Sequence, residues 1–264
     1  MASALTVSNA GKAYRDGTVA LEDCSLEVEP GELRVIVGPS GCGKTTLLNA
    51  VAGFDGLSSG EILLDGEPLD ANPGADRVMV FQHSTLFPWR TVVENVVYGP
   101  VVQGRLGKRA AVGLARKRLA QAGLADVEDH YPGELSSGVQ RRVEIVRALL
   151  NEPKVLLLDE PFRGMDSLTR SVMHESLLRF YDRAGVTVLF ITHDIEEAVF
   201  LGTRVSIMTS RPGRIKETID VPLERPRELS GVTTGRFQEI AARVSDAVED
   251  EARHAFAVGE RELA

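Results

Sequence analysis

The sequence has little cysteine and no long apolar run, and each shortage excludes a class of protein. Its two cysteines, Cys24 and Cys42, are too few for a disulfide framework and lack the paired spacing of a metal site. No stretch reaches the roughly 18 apolar residues that a membrane-spanning helix needs. The first residues also lack the charged and apolar segments of a signal peptide. These absences predict a cytoplasmic protein that does not itself cross a membrane.

An excess of positive charge is also missing. The 264 residues include 30 Lys and Arg against 38 Asp and Glu, a formal net charge of −8. No broad basic surface is therefore available for a nucleic-acid backbone, and we expect no nucleic-acid partner. Hydrophobic residues make up 43% of the chain and charged residues 26%, which fits one large folded domain or two small lobes.

Short runs of Val, Ile and Leu alternate with longer helical patterns along the chain. Runs that are apolar on both faces are typical of buried parallel strands, so the pattern predicts an α/β fold with a mainly parallel sheet. These runs lie at 33–37, 78–81, 155–158, 186–191 and 205–208.

Three regions depart from this alternation. Near the start of the chain, runs at 4–7, 25–28 and 62–64 are separated by turn signals and predict a small antiparallel β subdomain. Helical patterns replace strand signals between about 88 and 150, which predicts an inserted helical subdomain. Beyond a boundary near residue 225, residues 226–264 are expected to form an amphipathic helical tail that either packs on its own domain or is regulatory.

A glycine-rich segment follows the first buried run and matches the whole G-x-x-x-x-G-K-S/T pattern, with an apolar helix expected from 45 to 52. Backbone N–H groups of such a loop bind phosphate oxygens. Lys44 is expected to bridge the β- and γ-phosphates of a nucleotide, and the Thr45 hydroxyl to bind Mg²⁺. The segment therefore predicts a site for ATP and Mg²⁺. Its residues are Gly38, Pro39, Ser40, Gly41, Cys42, Gly43, Lys44, Thr45 and Thr46.

Polar residues end two other apolar runs. Asp159 is expected to orient Mg²⁺, and Glu160, one residue further, to act as the general base that polarises an attacking water. His193 follows the run at 186–191, where an imidazole can donate to a γ-phosphate oxygen. Solvated acids and a structural histidine are the ordinary alternatives, but the neighbouring phosphate loop favours a catalytic set of Glu160, His193 and Lys44.

The segment from Leu135 to Val143 precedes the carboxylate run and begins Leu-Ser-Ser-Gly-Val-Gln. With the phosphate loop, the paired acids and His193 in this order, it resembles the signature segment of ABC transporter ATPases. The resemblance covers roughly residues 4–225 and implies an ABC ATPase cassette that works as a homodimer. Ser136 and Gly138 would then bind the γ-phosphate of ATP held by the opposite subunit. Ser137 stands where the family usually has glycine, which predicts slower hydrolysis or a looser closed dimer.

Three further residues match the family one by one. Tyr14 resembles the aromatic residue that stacks on adenine, although an exposed loop tyrosine is an alternative. Gln82 resembles the glutamine that contacts Mg²⁺ and joins the core to the helical subdomain. Asp166 resembles the aspartate at the dimer contact, or else simply forms a turn, and Arg163 is an unusual residue to precede it.

Two segments, 86–96 and 209–215, resemble importers of nitrate, sulfonate and taurine. The resemblance implies a separate integral membrane permease whose short helix enters a groove beside Trp89, and indirectly a solute-binding protein. The chain would then lie peripherally on the inner face of the cell membrane. Trp89 as core of the helical subdomain is the alternative. One further alternative is an exporter. Another is a soluble or regulatory ABC ATPase with weak hydrolysis and no transport role.

Overall fold

The computed structural model describes residues 2–70 and 72–257, which form ten strands and seven α-helices. The strands are β1 (Leu5–Ala13), β2 (Val19–Val28), β3 (Leu33–Val37), β4 (Ser59–Leu64), β5 (Glu67–Pro68), β6 (Arg77–Val80), β7 (Val155–Asp159), β8 (Thr187–Ile191), β9 (Arg204–Met208) and β10 (Ile215–Asp220). The helices are α1 (Lys44–Ala52), α2 (Val92–Val102), α3 (Lys108–Gln121), α4 (Ser137–Leu150), α5 (Ser167–Ala184), α6 (Ile195–Leu201) and α7 (Gly235–Ala257). The last residues of the expected tail, 258–264, lie outside the described part of the chain.

A six-stranded sheet in the order β10-β9-β3-β8-β7-β6 forms the centre of the molecule. Its five strands from β9 to β6 are parallel, and β3, β7 and β8 are buried along their whole length. The predicted α/β fold is confirmed. Asp159 pairs with Ile191, and Ile36 pairs with the same residue from the other side, so these three strands end at one edge. That edge carries the phosphate loop, the paired acids and His193.

The apolar side chains of this sheet form a separate core on each face. On one face, Val35 and Leu158 pack with residues of α4, α5, α6 and α7. On the other face, Ile36 and Leu157 pack against α1 and against the small sheet. The layers are therefore helix, sheet, and a third layer made by α1 and the antiparallel strands.

The second sheet has the order β2-β1-β4-β5 and is antiparallel, as expected. Leu5 pairs with Val28 on one side and Leu64 on the other, so the predicted runs are the paired ends of longer strands. Pairing continues to Ala13 through irregular registers, which a short apolar pattern does not reveal. Strand β10 was not predicted because it lies at the sheet edge with mostly exposed side chains.

Helices α2, α3 and α4 occupy the stretch where the inserted helical subdomain is predicted. Their own apolar cluster includes Val96, Ala115 and Val143, all fully buried. Thr91 caps the start of α2 by accepting a hydrogen bond from the backbone of Glu94, whose side chain bonds back to the Thr91 N–H. The cluster gives these helices a core separate from those of the two sheets.

Helix α7 packs against the main sheet and α6. Phe237, Ile240 and Val244 are buried in the core of that face, so the described part of this helix packs on its own domain. Further along, the Glu251 carboxylate accepts hydrogen bonds from the Ser210 backbone at 3.3 Å and pairs with Lys216 at 2.9 Å. Among all the described helices, none is both long and apolar enough to span a bilayer.

Candidate active site

The phosphate loop joins β3 to α1. A Cβ atom on Gly38 would lie 2.7 Å from the Met208 carbonyl oxygen, so only glycine lets the loop pack this closely against β9. Gly43 immediately precedes α1 with a φ of 106°, a left-handed conformation that also favours glycine. The buried Lys44 ammonium donates to the carbonyl oxygens of Gly38 at 2.8 Å and Pro39 at 2.9 Å. Its charge is thus held across the loop, next to the N-terminus of α1, where a phosphate group is favoured.

Thr45 and Asp159 offer oxygen ligands at the base of this loop. The Thr45 hydroxyl donates to Asp159 Oδ1 at 3.4 Å. Burial, together with the charge of Glu160, raises the pKa of Asp159, whereas Thr45 and Lys44 lower it. A buried carboxylate of this kind is stabilised by a cation, and a hydroxyl with a carboxylate suits Mg²⁺. Thr45 and Asp159 therefore fit a Mg²⁺ site, and Mg²⁺ bound there would neutralise part of the phosphate charge.

No cluster of three or more His, Cys, Asp or Glu side chains able to hold a metal occurs within the described ranges. Mg²⁺ does not need such a cage, because it keeps several waters and is commonly held by one or two protein ligands together with substrate phosphates. The sparse protein ligand set is consistent with an ion that arrives with the nucleotide.

Glu160 and His193 face each other across the same sheet edge. His193 Nδ1 lies 3.4 Å from Glu160 Oε2, and Arg163 Nη1 lies 3.1 Å from the same oxygen. The Glu160 backbone N–H donates to the Ile191 carbonyl, and its φ of 41° is strained for a residue with a side chain. A cavity of about 50 Å³ lies beside these groups, large enough for water. The geometry places a carboxylate, an imidazole and space for a nucleophile together.

Tyr14 lies beside the start of α1. Its hydroxyl is 3.4 Å from the Thr46 Oγ1 atom, and its ring is partly exposed with the Lys12 ammonium 5.1 Å from the ring centroid. A hydrogen bond from the Tyr14 N–H to the Thr18 carbonyl holds its loop. The aromatic ring therefore lies next to the end of the phosphate loop; its stacking on adenine stays a prediction.

Gln82 follows β6 and is fixed through its backbone. The Arg141 guanidinium of α4 donates to the carbonyl oxygens of Phe81 and Gln82, both at 2.6 Å. Arg141 also pairs with Glu144 at 2.7 Å, and both side chains are buried. Burial lowers the pKa of Arg141, and the charge of Glu144 opposes that shift. This pair, which sequence reasoning missed, ties the segment carrying Gln82 to α4; contact of Gln82 with Mg²⁺ stays a prediction.

The signature residues lie at helix starts rather than at the phosphate loop. Ser136 caps α4 by accepting from the Val139 N–H, and Asp166 caps α5 by accepting from the Thr169 N–H, which helps to lower the pKa of Asp166. A Cβ on Gly138 would lie 3.0 Å from Thr169, so the two helix starts are neighbours. In the described part of a single chain, the side-chain hydrogen bonds of Ser136 and Asp166 remain local. Both residues are exposed, as is Ser137.

Arg211 is a further residue that the sequence interpretation missed. Its Nε atom donates to the Gly41 carbonyl at 2.8 Å, so the guanidinium lies over the phosphate loop. The adjoining Ser210 is the residue whose N–H bonds to Glu251 of α7. A contact between residues 170 positions apart has no local sequence signal.

An aromatic surface lies between the core and the helices α2 and α4. Trp89 is 70% exposed, which rules out a place in the core. The ring of Phe87 lies 5.6 Å from that of Trp89 and 4.8 Å from that of Tyr98. Beside these rings runs a groove of about 350 Å³, hereafter the aromatic groove. Its lining includes Thr85, Phe87, Tyr98, Glu144 and Arg147.

A glycine-rich loop, an oxygen ligand pair, and a carboxylate beside an imidazole share one edge of a parallel sheet. This combination of fold and site defines a P-loop ATPase.

Comparisons with known proteins give the family. The model of the ABC transporter family matches residues 21–163. An uncharacterized ABC transporter ATP-binding protein of Methanocaldococcus jannaschii, MJ0412, is 44% identical over 232 residues, which are 88% of this chain and 85% of the relative. The taurine import ATP-binding protein TauB of Escherichia coli is 46% identical over 209 residues, 79% of this chain and 81% of TauB.

Solved structures agree with the sequence relatives. The ATP-binding cassette MJ0796, in a dimeric post-hydrolysis state bound to ADP and phosphate, superposes with a TM-score of 0.72 at 31% identity, covering 83% of this chain and 100% of that one. A component of an ABC transporter complex, cbiO1 of Clostridium perfringens, gives a TM-score of 0.76 at 28% identity, with coverage of 93% and 97%. The chain belongs to the ABC transporter family and is an ATP-binding subunit of that family. It is an ATPase whose cofactors are ATP and Mg²⁺.

Proposed function

We propose that this subunit drives uptake of a small sulfonate-like solute, with taurine as the first candidate, through a separate membrane permease. The observation that carries the proposal is its 46% identity to taurine import ATP-binding proteins over most of both chains. The nitrate, sulfonate and taurine importers were also the group that the segments at 86–96 and 209–215 resemble. The solute class is inferred from relatives because the solute itself passes through other subunits.

In this proposal the residues around the phosphate loop divide the work of binding and hydrolysis. Lys44 and the loop N–H groups hold the phosphates, Tyr14 holds the base, and Thr45, Asp159 and Gln82 orient Mg²⁺. Glu160 accepts a proton from the attacking water, and His193 donates to the γ-phosphate. Support for these two roles comes from their shared position beside a water-sized cavity.

We further infer that two copies share each ATP. Ser136 and Asp166 cap adjacent helices on an exposed surface, where they bond only within their own segments. Near Asp166 the first turns of α5 expose Leu168 and Val172, which are four residues apart and so lie on one helix face. Apolar side chains on such a face suit a subunit interface. The proposed dimer places Ser136 and Gly138 of one copy against the ATP of the other.

Trapping the dimer tests this arrangement. Replacing Glu160 with Gln removes the proton acceptor and preserves the size of the side chain, so we expect ATP to bind without turnover and to hold two copies together. Size-exclusion chromatography with light scattering, with ATP and then with ADP, measures the effect. Normal turnover by the variant would refute the role of Glu160, and a monomer in ATP would refute the shared site.

The aromatic groove is the proposed contact with the permease. An exposed Trp beside Phe87 and Tyr98 provides apolar anchors for a short helix. Arg147 and Glu144 line the groove, and Glu144 pairs with Arg141, which holds the carbonyl of Gln82. The site of permease contact is thus linked to the segment beside the nucleotide by two side chains.

Reconstitution tests the transport function. The chain should be purified with its membrane partner, placed in lipid vesicles, and assayed with the matching solute-binding protein. We expect taurine or another small sulfonate with its binding protein to stimulate ATP hydrolysis and to enter the vesicles, and Glu160→Gln to abolish both. Absence of any membrane partner would overturn the transport role, whereas stimulation only by solutes without a sulfonate group would overturn the solute class.

A further inference from the structure

Arg163 contacts the proposed general base directly. It lies in the turn between β7 and α5, where its Nη1 atom is 3.1 Å from Glu160 Oε2. The Arg163 backbone N–H also donates to the Glu160 carbonyl at 3.2 Å, so the turn holds the backbones of the two residues close together. The Glu160 side chain is 14% exposed and that of Arg163 is 56% exposed. One oxygen of an enclosed carboxylate is therefore bonded to an accessible cation.

This contact restricts what Glu160 can do. Bonds between a guanidinium and a carboxylate are charge-assisted and directional, so the carboxylate is held turned toward Arg163. The same oxygen, Oε2, lies 3.4 Å from His193 Nδ1. With two side chains beside it, this oxygen has fewer free acceptor positions for a water molecule. The backbone of Glu160 is already fixed on Ile191, so reorientation must come from the side chain.

The restraint is also easily removed. An ion pair as exposed as this one is weak, so a modest new contact at Arg163 is enough to separate it. Arg163 stands three residues before Asp166, on the exposed turn that the proposed dimer uses as a contact. A second copy that docks on this turn can contact the exposed Arg163 side chain directly, whereas Glu160 behind it is enclosed.

We propose that Arg163 is a positioning residue that holds Glu160 in a resting orientation in the free subunit and releases it when a second copy docks. The inference rests on the proposed role of Glu160 as general base. It assigns to this chain a local restraint on ATP hydrolysis that acts through the orientation of one carboxylate.

The test compares steady-state ATP hydrolysis by the purified full chain and its variants at saturating MgATP over a range of protein concentrations. With Arg163→Ser, kcat at low protein concentration should rise about two- to fivefold, the range that loss of an exposed ion pair spans. KM for ATP should not change, because Arg163 contacts no group of the phosphate loop among its described hydrogen bonds. Arg163→Lys keeps the charge but loses the planar fork and should give an intermediate rate.

Arg179→Ser is the matched control, because Arg179 is 57% exposed and pairs with Glu175 within α5. Its kcat should equal that of the wild type. If Arg163→Ser is no faster than wild type, or slower, the inference is overturned, and a rise shared by Arg179→Ser overturns it equally. The variant Glu160→Gln distinguishes failure of the proposed general base from failure of the proposed restraint. If Glu160→Gln hydrolyses ATP normally, the role of Glu160 is wrong. If it is inactive and Arg163→Ser has the rate of the wild type, only the role of Arg163 is wrong.

Discussion

At the scale of single residues, Lys44 is the cation of the phosphate loop. Its ammonium bonds to two loop carbonyls and is buried, so it is already placed to meet phosphate oxygens. A hydrogen bond to a charged group contributes about 1.5–3 kcal/mol. We therefore expect Lys44→Ala to weaken MgATP binding about 10- to 100-fold, measured by equilibrium titration with a fluorescent ATP analogue. Lys154→Ala is the control, since that lysine is half exposed and pairs with Asp65; equal losses in both variants would contradict the assignment.

Asp159 gives the nucleotide-free subunit a pH-dependent stability. Burial and the charge of Glu160 raise the pKa of Asp159 above its ordinary value. A carboxyl group with a raised folded-state pKa stabilises the fold below its unfolded pKa, and this contribution is lost as the pH rises through the folded pKa. Asp159→Asn removes the buried charge. Without nucleotide we expect it to melt at a higher temperature than wild type near pH 7.5, with a difference that shrinks toward about pH 4.

The same variant should respond less to MgATP. An ionised carboxylate at position 159 is what the proposed Mg²⁺ site requires, so adding MgATP should raise the melting temperature of wild type by more than that of Asp159→Asn. Scanning fluorimetry over this pH range with and without MgATP measures both effects. A difference between the two proteins that is independent of pH would show that Asp159 is not the titrating group.

At the scale of secondary-structure elements, the buried pair of Arg141 and Glu144 on α4 holds the segment that follows β6. Arg141 donates to the carbonyl oxygens of Phe81 and Gln82, and Glu144 accepts from the Thr85 N–H. Replacing Arg141 with Met leaves the buried Glu144 with Thr85 and the more distant Arg147, at 3.9 Å, as its partners, so the loss of unfolding free energy should lie below the about 3–5 kcal/mol typical of a fully unpaired buried charge. The double variant Arg141→Met with Glu144→Met should lose less than the sum of the two single variants. Urea unfolding gives the values, and strict additivity would contradict the coupling. Arg105→Met, from the exposed pair with Glu152, should change stability by less than about 1 kcal/mol.

Prediction from the sequence succeeded where an element has a local pattern. The run at 33–37 coincides with β3, and those at 155–158 and 186–191 differ from β7 and β8 by one residue at one end. Those three strands are buried on both faces, so their composition alone identifies them. The mostly exposed β10 has no such pattern, and its partner β9 decides its conformation.

At the scale of the whole molecule, the part of the candidate site that could be predicted from the sequence is the part that follows the ends of the parallel strands. Parallel strands bring their carboxyl ends to one edge, so Lys44, Asp159 and His193 could be placed together without coordinates. The contacts of Arg163, Arg211 and Arg141 could not. Each joins an arginine to a backbone or carboxylate oxygen, and because neither partner of such a contact has a sequence pattern of its own, only the packed structure shows which groups meet.

In the proposed transporter, the aromatic groove is the surface of this subunit that contacts the permease. Buried tryptophans at interfaces commonly contribute 2 kcal/mol or more, so we expect Trp89→Ala to weaken association with the permease about 30-fold or more. Because Trp89 is 70% exposed in the free chain, its loss should leave the melting temperature almost unchanged. Val102→Ala is the matched control, since Val102 is a similarly exposed apolar residue that is not part of the ring cluster of Phe87, Trp89 and Tyr98. Affinity for the permease in detergent, measured by surface immobilisation, separates the two variants. Equal affinity of Trp89→Ala and wild type would contradict the role of this ring in the interface.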